Sequence, residues 1–381
     1  MVTVTSGRPL TICDLSPFYC ETGGGIRTYH RAKIDWFRSQ RRHRYVLVCP
    51  GPRDHVTAPA PNVTIARVYG APVTRDADGY RLMLGFGAVS ALIEELRPDV
   101  IEAGDPWISG PLALLLRRRG RFRGVLSSFY HSDPIATYVN RWLAGAAASI
   151  FYRVQARYDV TLAASRTMQR RLHAHGVANV VCTPFGVDAL FFDVGRLRTV
   201  RTGPAALVYA GRLDADKDVA LLLNVVPRLL QRSDVTVTVV GRGQYQDRFA
   251  RISHPRFTFR AFVRDRETLA RIYEASDILL APGRFETFGL SALEAAAAGL
   301  VVVGPDEGGT GELLEQMRSP FLFERGNAAA FYEAVDRAVA CDLPAMSDRS
   351  RALAAGYGTW PGAIARQMAV YESMAGARPC R

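Results

Sequence analysis

Apolar residues come along this chain in short runs rich in Val, Ile and Leu, and the runs alternate with longer stretches whose apolar positions recur at helical spacing. In the first half the runs predict strands over residues 10–13, 45–49, 63–68, 100–102, 125–129, 159–163 and 180–182. Helix-length segments lie between several of them, at 27–39, 87–96 and 138–158. In the second half the strands fall at 206–209, 235–240, 256–260, 278–280, 300–303 and 321–323, with helices at 219–231, 268–275 and 328–341. Strand and helix in alternation mean βαβ units and parallel sheets. The alternation breaks once, in the Pro- and Gly-bearing "TPFGVDALFF" around residues 184–192. The pattern therefore predicts an α/β protein of two doubly wound, Rossmann-like domains, meeting near residues 185 and 186. Such sheets bind ligands beyond the carboxyl ends of their strands. Two of them facing one another would place a site in the cleft between.

A chain of 381 residues suits two cores, and 48% apolar residues can fill them. There is no long uncharged apolar stretch and no basic-then-apolar start, which predicts a cytoplasmic protein. Six scattered cysteines show neither a zinc spacing nor a disulfide frame. The net charge of +12 is unevenly spread: residues 1–190 carry 24 Lys and Arg against 14 Asp and Glu, residues 191–381 carry 24 against 22. A basic first half suits nucleic acid, an anionic membrane or a phosphorylated substrate, and equally suits solvated arginine-rich loops. Only two of the 48 basic residues are lysines, Lys33 and Lys217, which sets both apart.

Four stretches carry candidate chemistry. In "PGRFETFGLSALEAAAAGL", residues 282–300, Glu286 sits at a strand-to-helix turn and Glu294 lies in an Ala-rich helix that begins at about Phe288. The backbone N–H groups of Phe288, Gly289 and Leu290 would face a phosphate, and Glu294 could reach a ribose hydroxyl. Alternatively, Ser291 and Glu294 form a capping box with no further role. In "LVYAGRLDADKDVALLLNVV", residues 207–226, Arg212 and Lys217 follow a strand through Gly211, placed to straddle a diphosphate. The alternative pairs them with Asp214, Asp216 and Asp218. "DAD" at 214–216 and again at 76–78 is too short a match to assign a metal. "TGGGIRTYHRAKIDWF", residues 22–37, opens a helix with glycines, Gly24 and Gly25 among them, but fits neither a dinucleotide fingerprint nor a P-loop. In "LSSFYHSDP", residues 126–134, His131 ends a strand where it could hydrogen-bond a hydroxyl, with Asp133 to orient it, or could simply be structural.

In this order the stretches resemble the retaining glycosyltransferases of family 4 (glycosyltransferases group 1), which have the GT-B fold. Glu286 and Glu294 look like that family's paired glutamates and "AGRLDADKD" like its Arg and Lys donor motif. "VVGRGQYQDRF", with Gly241, is similar to its donor-side glycine loop, and "DEGGTGELL" to the segment that follows. Arg242 stands where an acid is usual and Gln244 where a proline is common, so the loop does not name the nucleotide. The resemblance implies a metal-independent hexosyltransferase without a resident cofactor, acting on a UDP- or GDP-linked sugar such as mannose or glucose. Arg212 and Lys217 would neutralise the leaving diphosphate, Glu286 would contact sugar hydroxyls, Glu294 the ribose, and Phe288 to Leu290 the phosphates. Gly211 and Gly241 would lie against the donor, His131 would hydrogen-bond the sugar, and Gly24 with Gly25 would close on donor and acceptor. The same resemblance implies an acceptor-side domain of residues 1–185 completed by a C-terminal helix at about 360–381 ("TWPGAIARQMAVYESM"), and a donor-binding domain of residues 186–359.

The basic acceptor side, with Trp36, Phe37, Phe122 and Trp142 as neighbours, predicts peripheral attachment to an anionic membrane, at the inner face of the plasma membrane, and a lipid-linked or glycan acceptor. Two rivals stay open. One is a nucleic-acid-binding or other non-enzymatic binding protein, although no nucleic-acid module is recognisable. The other is a GT-B enzyme of another reaction type, such as a nucleotide-sugar epimerase or a phosphorylase.

Overall fold

The computed structural model describes residues 8–21, 23–73, 79–131, 144–194, 202–263, 265–283 and 286–377. Asp133, Trp142 and the acidic triplet at 76–78 lie outside the described residues. The chain divides into two compact units, Met1–Thr183 with Pro361–Arg381, and Pro184–Trp360.

Unit 1 is built on β1 (Thr11–Leu15), β2 (Arg44–Gly51), β3 (His55–Ala60), β4 (Val63–Pro72), β5 (Arg81–Met83), β6 (Val100–Ala103), β7 (Val125–Tyr130), β8 (Val160–Ala163) and β9 (Val180–Cys182). Their order is β3-β4-β2-β1-β6-β7-β8-β9, with β5 on β4. Only β3 and β5 run antiparallel to their neighbour. The parallel strands are near-continuous apolar runs because helices cover both faces. The sheet is wound in both directions from β1, so the chain reverses between β1 and β6, the place where a doubly wound sheet opens a crevice.

Two of the aromatic side chains expected at a membrane surface lie in the core instead. Phe37 and Phe122 are 0% and 3% exposed, Phe37 stacked on Tyr45 and Phe122 in the core with Leu116 and Leu126. A residue used that way cannot insert into lipid, and this part of the sequence reading is corrected.

Lys33, on the helix Gly25–Gln40 that joins β1 to β2, is fully buried. Its ammonium lies 2.7 Å from Asp14 and 3.1 Å from Glu102. Tyr45 donates to Asp14, Tyr29 to Glu102, and two residues of the last helix, Gln367 and Tyr371, also donate to Glu102. That helix, Trp360–Gly376, starts at the boundary of unit 2 and belongs to unit 1 from Pro361 onward. A buried ammonium between two carboxylates satisfies charges that would otherwise be costly to desolvate.

Unit 2 holds β10 (Ala205–Ala210), β11 (Val235–Val240), β12 (Phe257–Arg260), β13 (Ile278–Leu280), β14 (Val301–Pro305) and β15 (Leu322–Phe323). All pairs are parallel, in the order β12-β11-β10-β13-β14-β15. Its core packs Val237, Val239, Leu280 and Val303 against Leu222, Val226, Phe331 and Val335 of the helices Val219–Leu230 and Ala328–Val339. Here the reversal falls between β10 and β13.

Candidate active site

The loops that leave β10 and β13 on either side of that reversal carry the predicted cations and acids. Gly211 follows β10 and its N–H donates to the Val240 carbonyl at 3.1 Å. Arg212 then donates to Asp214 at 2.7 Å and to Asp216, two of the acids with which the alternative pairs it, and its side chain stays about a third exposed. Lys217 departs from that alternative. At the end of the short helix Ala215–Lys217 its ammonium donates to Glu286 at 2.7 Å, across the two loops. Both side chains keep about a quarter of their surface exposed, 26% and 23%, so a ligand can reach them.

Gly241 continues β11 so close to this loop that a Cβ on it would lie 2.0 Å from the Gly211 carbonyl oxygen. Only hydrogen fits, and the two glycine turns interlock: Leu213 donates to the Arg242 carbonyl at 2.8 Å and Gln244 to the Asp214 carboxylate at 3.0 Å. Tyr209 braces the turn from inside by donating to the Arg212 carbonyl at 2.6 Å.

The helix expected from about Phe288 begins later, spanning Leu290–Ala297, because Gly289 caps it in the left-handed region at φ 83°. Ser291 is thus inside the helix, no side chain caps it, and the capping-box alternative fails. The backbone N–H groups of Phe288, Gly289 and Leu290 donate to no acceptor among the described residues. They are the free donors of a helix start, where anions bind. A second helix start, Gly308–Gln316, presses on the same turn: Gly309 donates to the Glu286 carbonyl at 2.6 Å, and a Cβ on Gly309 would fall 2.3 Å from Phe288 backbone. Phe288 itself is buried against Phe185 and Tyr357.

Glu294 is buried and accepts from Arg266 at 2.7 Å, while Arg266 also lies 3.8 Å from Asp188. Burial pushes the Glu294 carboxyl up and the Arg266 charge opposes that shift. Sequence reasoning passed over Arg266, one arginine among many, and its partner lies 28 residues away.

In unit 1, Gly24 and Gly25 start the helix Gly25–Gln40, and nothing lies within 4 Å of a Cβ built on either. His131 directly follows β7, stacked on Phe129 with ring centroids 4.6 Å apart and edge-on to Tyr29 at 4.7 Å. Burial, helped by the positive charge of Lys33, pushes its imidazole down to about 3, so it is neutral across the physiological range. Beside it, at the reversal of this sheet, a cavity of about 220 Å³ is lined by Phe18, Gly104, Trp107, Phe129, His131 and Gln155 among others. The sequence reading did not find this cavity; Trp107 follows β6 in a loop without a motif. Asp105 at its edge is already used, accepting from the N–H groups of Trp107, Ile108 and Ser109 at 2.8, 2.6 and 2.9 Å.

Comparison with known proteins gives two family models on this chain, Glycosyltransferase Family 4 over residues 23–189 and Glycosyl transferases group 1 over residues 204–341. The chain is 28% identical over 318 residues to a GDP-mannose-dependent alpha-(1-6)-phosphatidylinositol dimannoside mannosyltransferase of Mycobacterium tuberculosis, covering 77% of this chain and 79% of that protein. A glycogen synthase of the same species is 31% identical over 269 residues, covering 67% and 63%. Among solved structures, a sucrose-phosphate synthase from Thermosynechococcus elongatus is similar in fold, with a TM-score of 0.78 at 18% identity over 97% of this chain and 100% of that one.

Proposed function

Since the chain belongs to the glycosyltransferases of group 1 and family 4 and is a hexosyltransferase, we propose that it moves mannose, with retention, from GDP-mannose to a hydroxyl of a lipid-linked acceptor at an anionic membrane surface. The donor and the lipid character of the acceptor come from the mannosyltransferases to which the chain is similar. A UDP-linked hexose and a glycan acceptor are the nearest variants.

The observation that carries the reading is the Lys217–Glu286 pair at the reversal of the unit 2 sheet. A nucleotide-sugar diphosphate bound there takes Lys217 and the free N–H groups of Phe288, Gly289 and Leu290 as its donors, and Arg212 as a fork. Glu286, relieved of part of its ion pair, turns its carboxylate to the sugar hydroxyls, and Glu294, held by Arg266, meets the ribose. In the reaction the bond from the anomeric carbon to the phosphate oxygen breaks as the bond to the acceptor oxygen forms. The acceptor's proton passes to the departing phosphate. Negative charge grows on that phosphate, and fixed cations and helix-start donors stabilise it with little reorganisation. No step draws on a metal ion. Neutral His131 supplies a hydrogen bond rather than a proton.

The test is a thermal-shift screen against GDP, UDP and ADP, followed by transfer of radiolabelled mannose from GDP-mannose to membrane lipids. A rise with GDP and label in the lipid fraction support the reading; no rise with any nucleotide and no transfer from any donor sink it.

A further inference from the structure

We propose that the outward face of the β4–β5 hairpin is the surface by which the enzyme docks on an anionic bilayer. β4 and β5 pair antiparallel with Ala71 opposite Leu82 and Gly70 opposite Met83. The pairing extends outward, Leu84 donating to the Tyr69 carbonyl at 3.1 Å and Val73 to the Tyr80 carbonyl at 2.9 Å. Side chains alternate across a strand, so Tyr69, Ala71, Val73, Leu82 and Leu84 share one face, and Val68 and Met83 take the other. The second face is in the core, packed with Val89 and Ile93. The first should then be polar, as on a sheet with one side in water. Instead Tyr69, Val73, Leu82 and Leu84 are 48%, 67%, 46% and 45% exposed, and Phe86, just past the hairpin, is exposed as well. A hairpin apolar on both sides marks a contact surface.

Charge selects the partner. Unit 1 carries 27 Lys and Arg against 14 Asp and Glu, and unit 2 carries 21 against 22. A second copy docking through this hairpin would bring the same positive excess and be repelled, whereas anionic headgroups complement it. Exposed Arg53 follows β2 near the hairpin, and Arg81 donates to the Gly70 carbonyl. The nearby Asp54 carboxylate is occupied by the Tyr69 N–H at 2.6 Å. Tyr69, with an apolar ring and a polar tip, suits the headgroup level.

The docking inference rests on the membrane part of the proposed function and is tested apart from it. Full-length enzyme is sedimented with phosphatidylcholine vesicles, with and without phosphatidylglycerol. Wild type should pellet with the anionic vesicles only. The Leu82→Ser/Leu84→Ser double variant should partition about tenfold or more less, as expected for losing two half-exposed leucines from an apolar contact. Leu115→Ser, an exposed leucine on another element, should leave partitioning unchanged. Equal binding by wild type and the double variant overturns the hairpin assignment. Indifference of wild type to both vesicles overturns membrane docking itself, as does a wild-type dimer that the double variant dissociates. The nucleotide thermal shift, measured without vesicles, should be the same for all three proteins, which separates a failure of docking from a failure of the donor site.

Discussion

Replacing Lys217 by Ala removes the ammonium that bridges the two loops of the proposed donor site. With both partners about a quarter exposed, the ion pair with Glu286 contributes no more than about 1 kcal/mol to stability, so the variant should unfold within a few degrees of wild type. The catalytic cost is of another size. Losing one preorganised donor to a developing oxyanion raises a barrier by about 3–4 kcal/mol, which is about a 100- to 1,000-fold loss of turnover. Lys217→Arg keeps the charge but offers a planar fork instead of a compact ammonium, and should recover part of the rate. The assay is transfer of radiolabelled mannose at saturating donor, beside a thermal melt of each protein. A folded Lys217→Ala enzyme turning over within about threefold of wild type would refute the view that this lysine stabilises the leaving diphosphate.

Arg266→Ala leaves the buried Glu294 carboxylate unpaired and should cost about 3–5 kcal/mol in urea unfolding, part of it recovered by adding Glu294→Gln; equal stability of the single and double variants would remove the pair from the account. Gly241→Ala forces the turn off the Gly211 carbonyl and should cost about 1–3 kcal/mol and weaken the nucleotide thermal shift, where unchanged midpoints would contradict the interlocked turns. His131 stays neutral in the fold down to about 3 but takes a proton near 6.5 when unfolded. Its contribution to stability is therefore complete above 6.5 and is lost as pH falls from there toward 3, at up to about 1.4 kcal/mol per pH unit. His131→Asn should flatten the slope of unfolding free energy between about pH 7 and 5; identical slopes would show that the imidazole titrates freely.

The central strands were legible because a parallel strand buried on both faces has to be an apolar run, and β11 (VTVTVV) and β14 (VVVGP) leave no other reading. β3, HVTAPA, was not, because an edge strand exposed along nearly all its length carries no burial pattern; β5 has three residues, with Leu82 facing outward and Met83 inward, and shows no polar alternation. The late start of the Leu290–Ala297 helix depends on the φ of a glycine, which composition does not reveal. Lys217 stood out because lysine is rare in this chain, and the same rarity marked Lys33. The sequence could not say that Lys33 would be buried, since Asp14, Glu102, Gln367 and Tyr371 come from distant positions. Arg266 is the opposite case: in an arginine-rich chain one more arginine carries no signal.

The cluster around Lys33 also sets an order of events during synthesis. Tyr371 donates to Glu102 across 269 positions and Gln367 across 265, so unit 1 is not one continuous stretch of chain. A ribosome that has finished the first nine strands has released a half whose interior charge still lacks two of its hydrogen-bond donors. Unit 2, continuous from Pro184 to Trp360, can complete its fold before the unit that precedes it, and the first half becomes whole only once the helix Trp360–Gly376 has emerged.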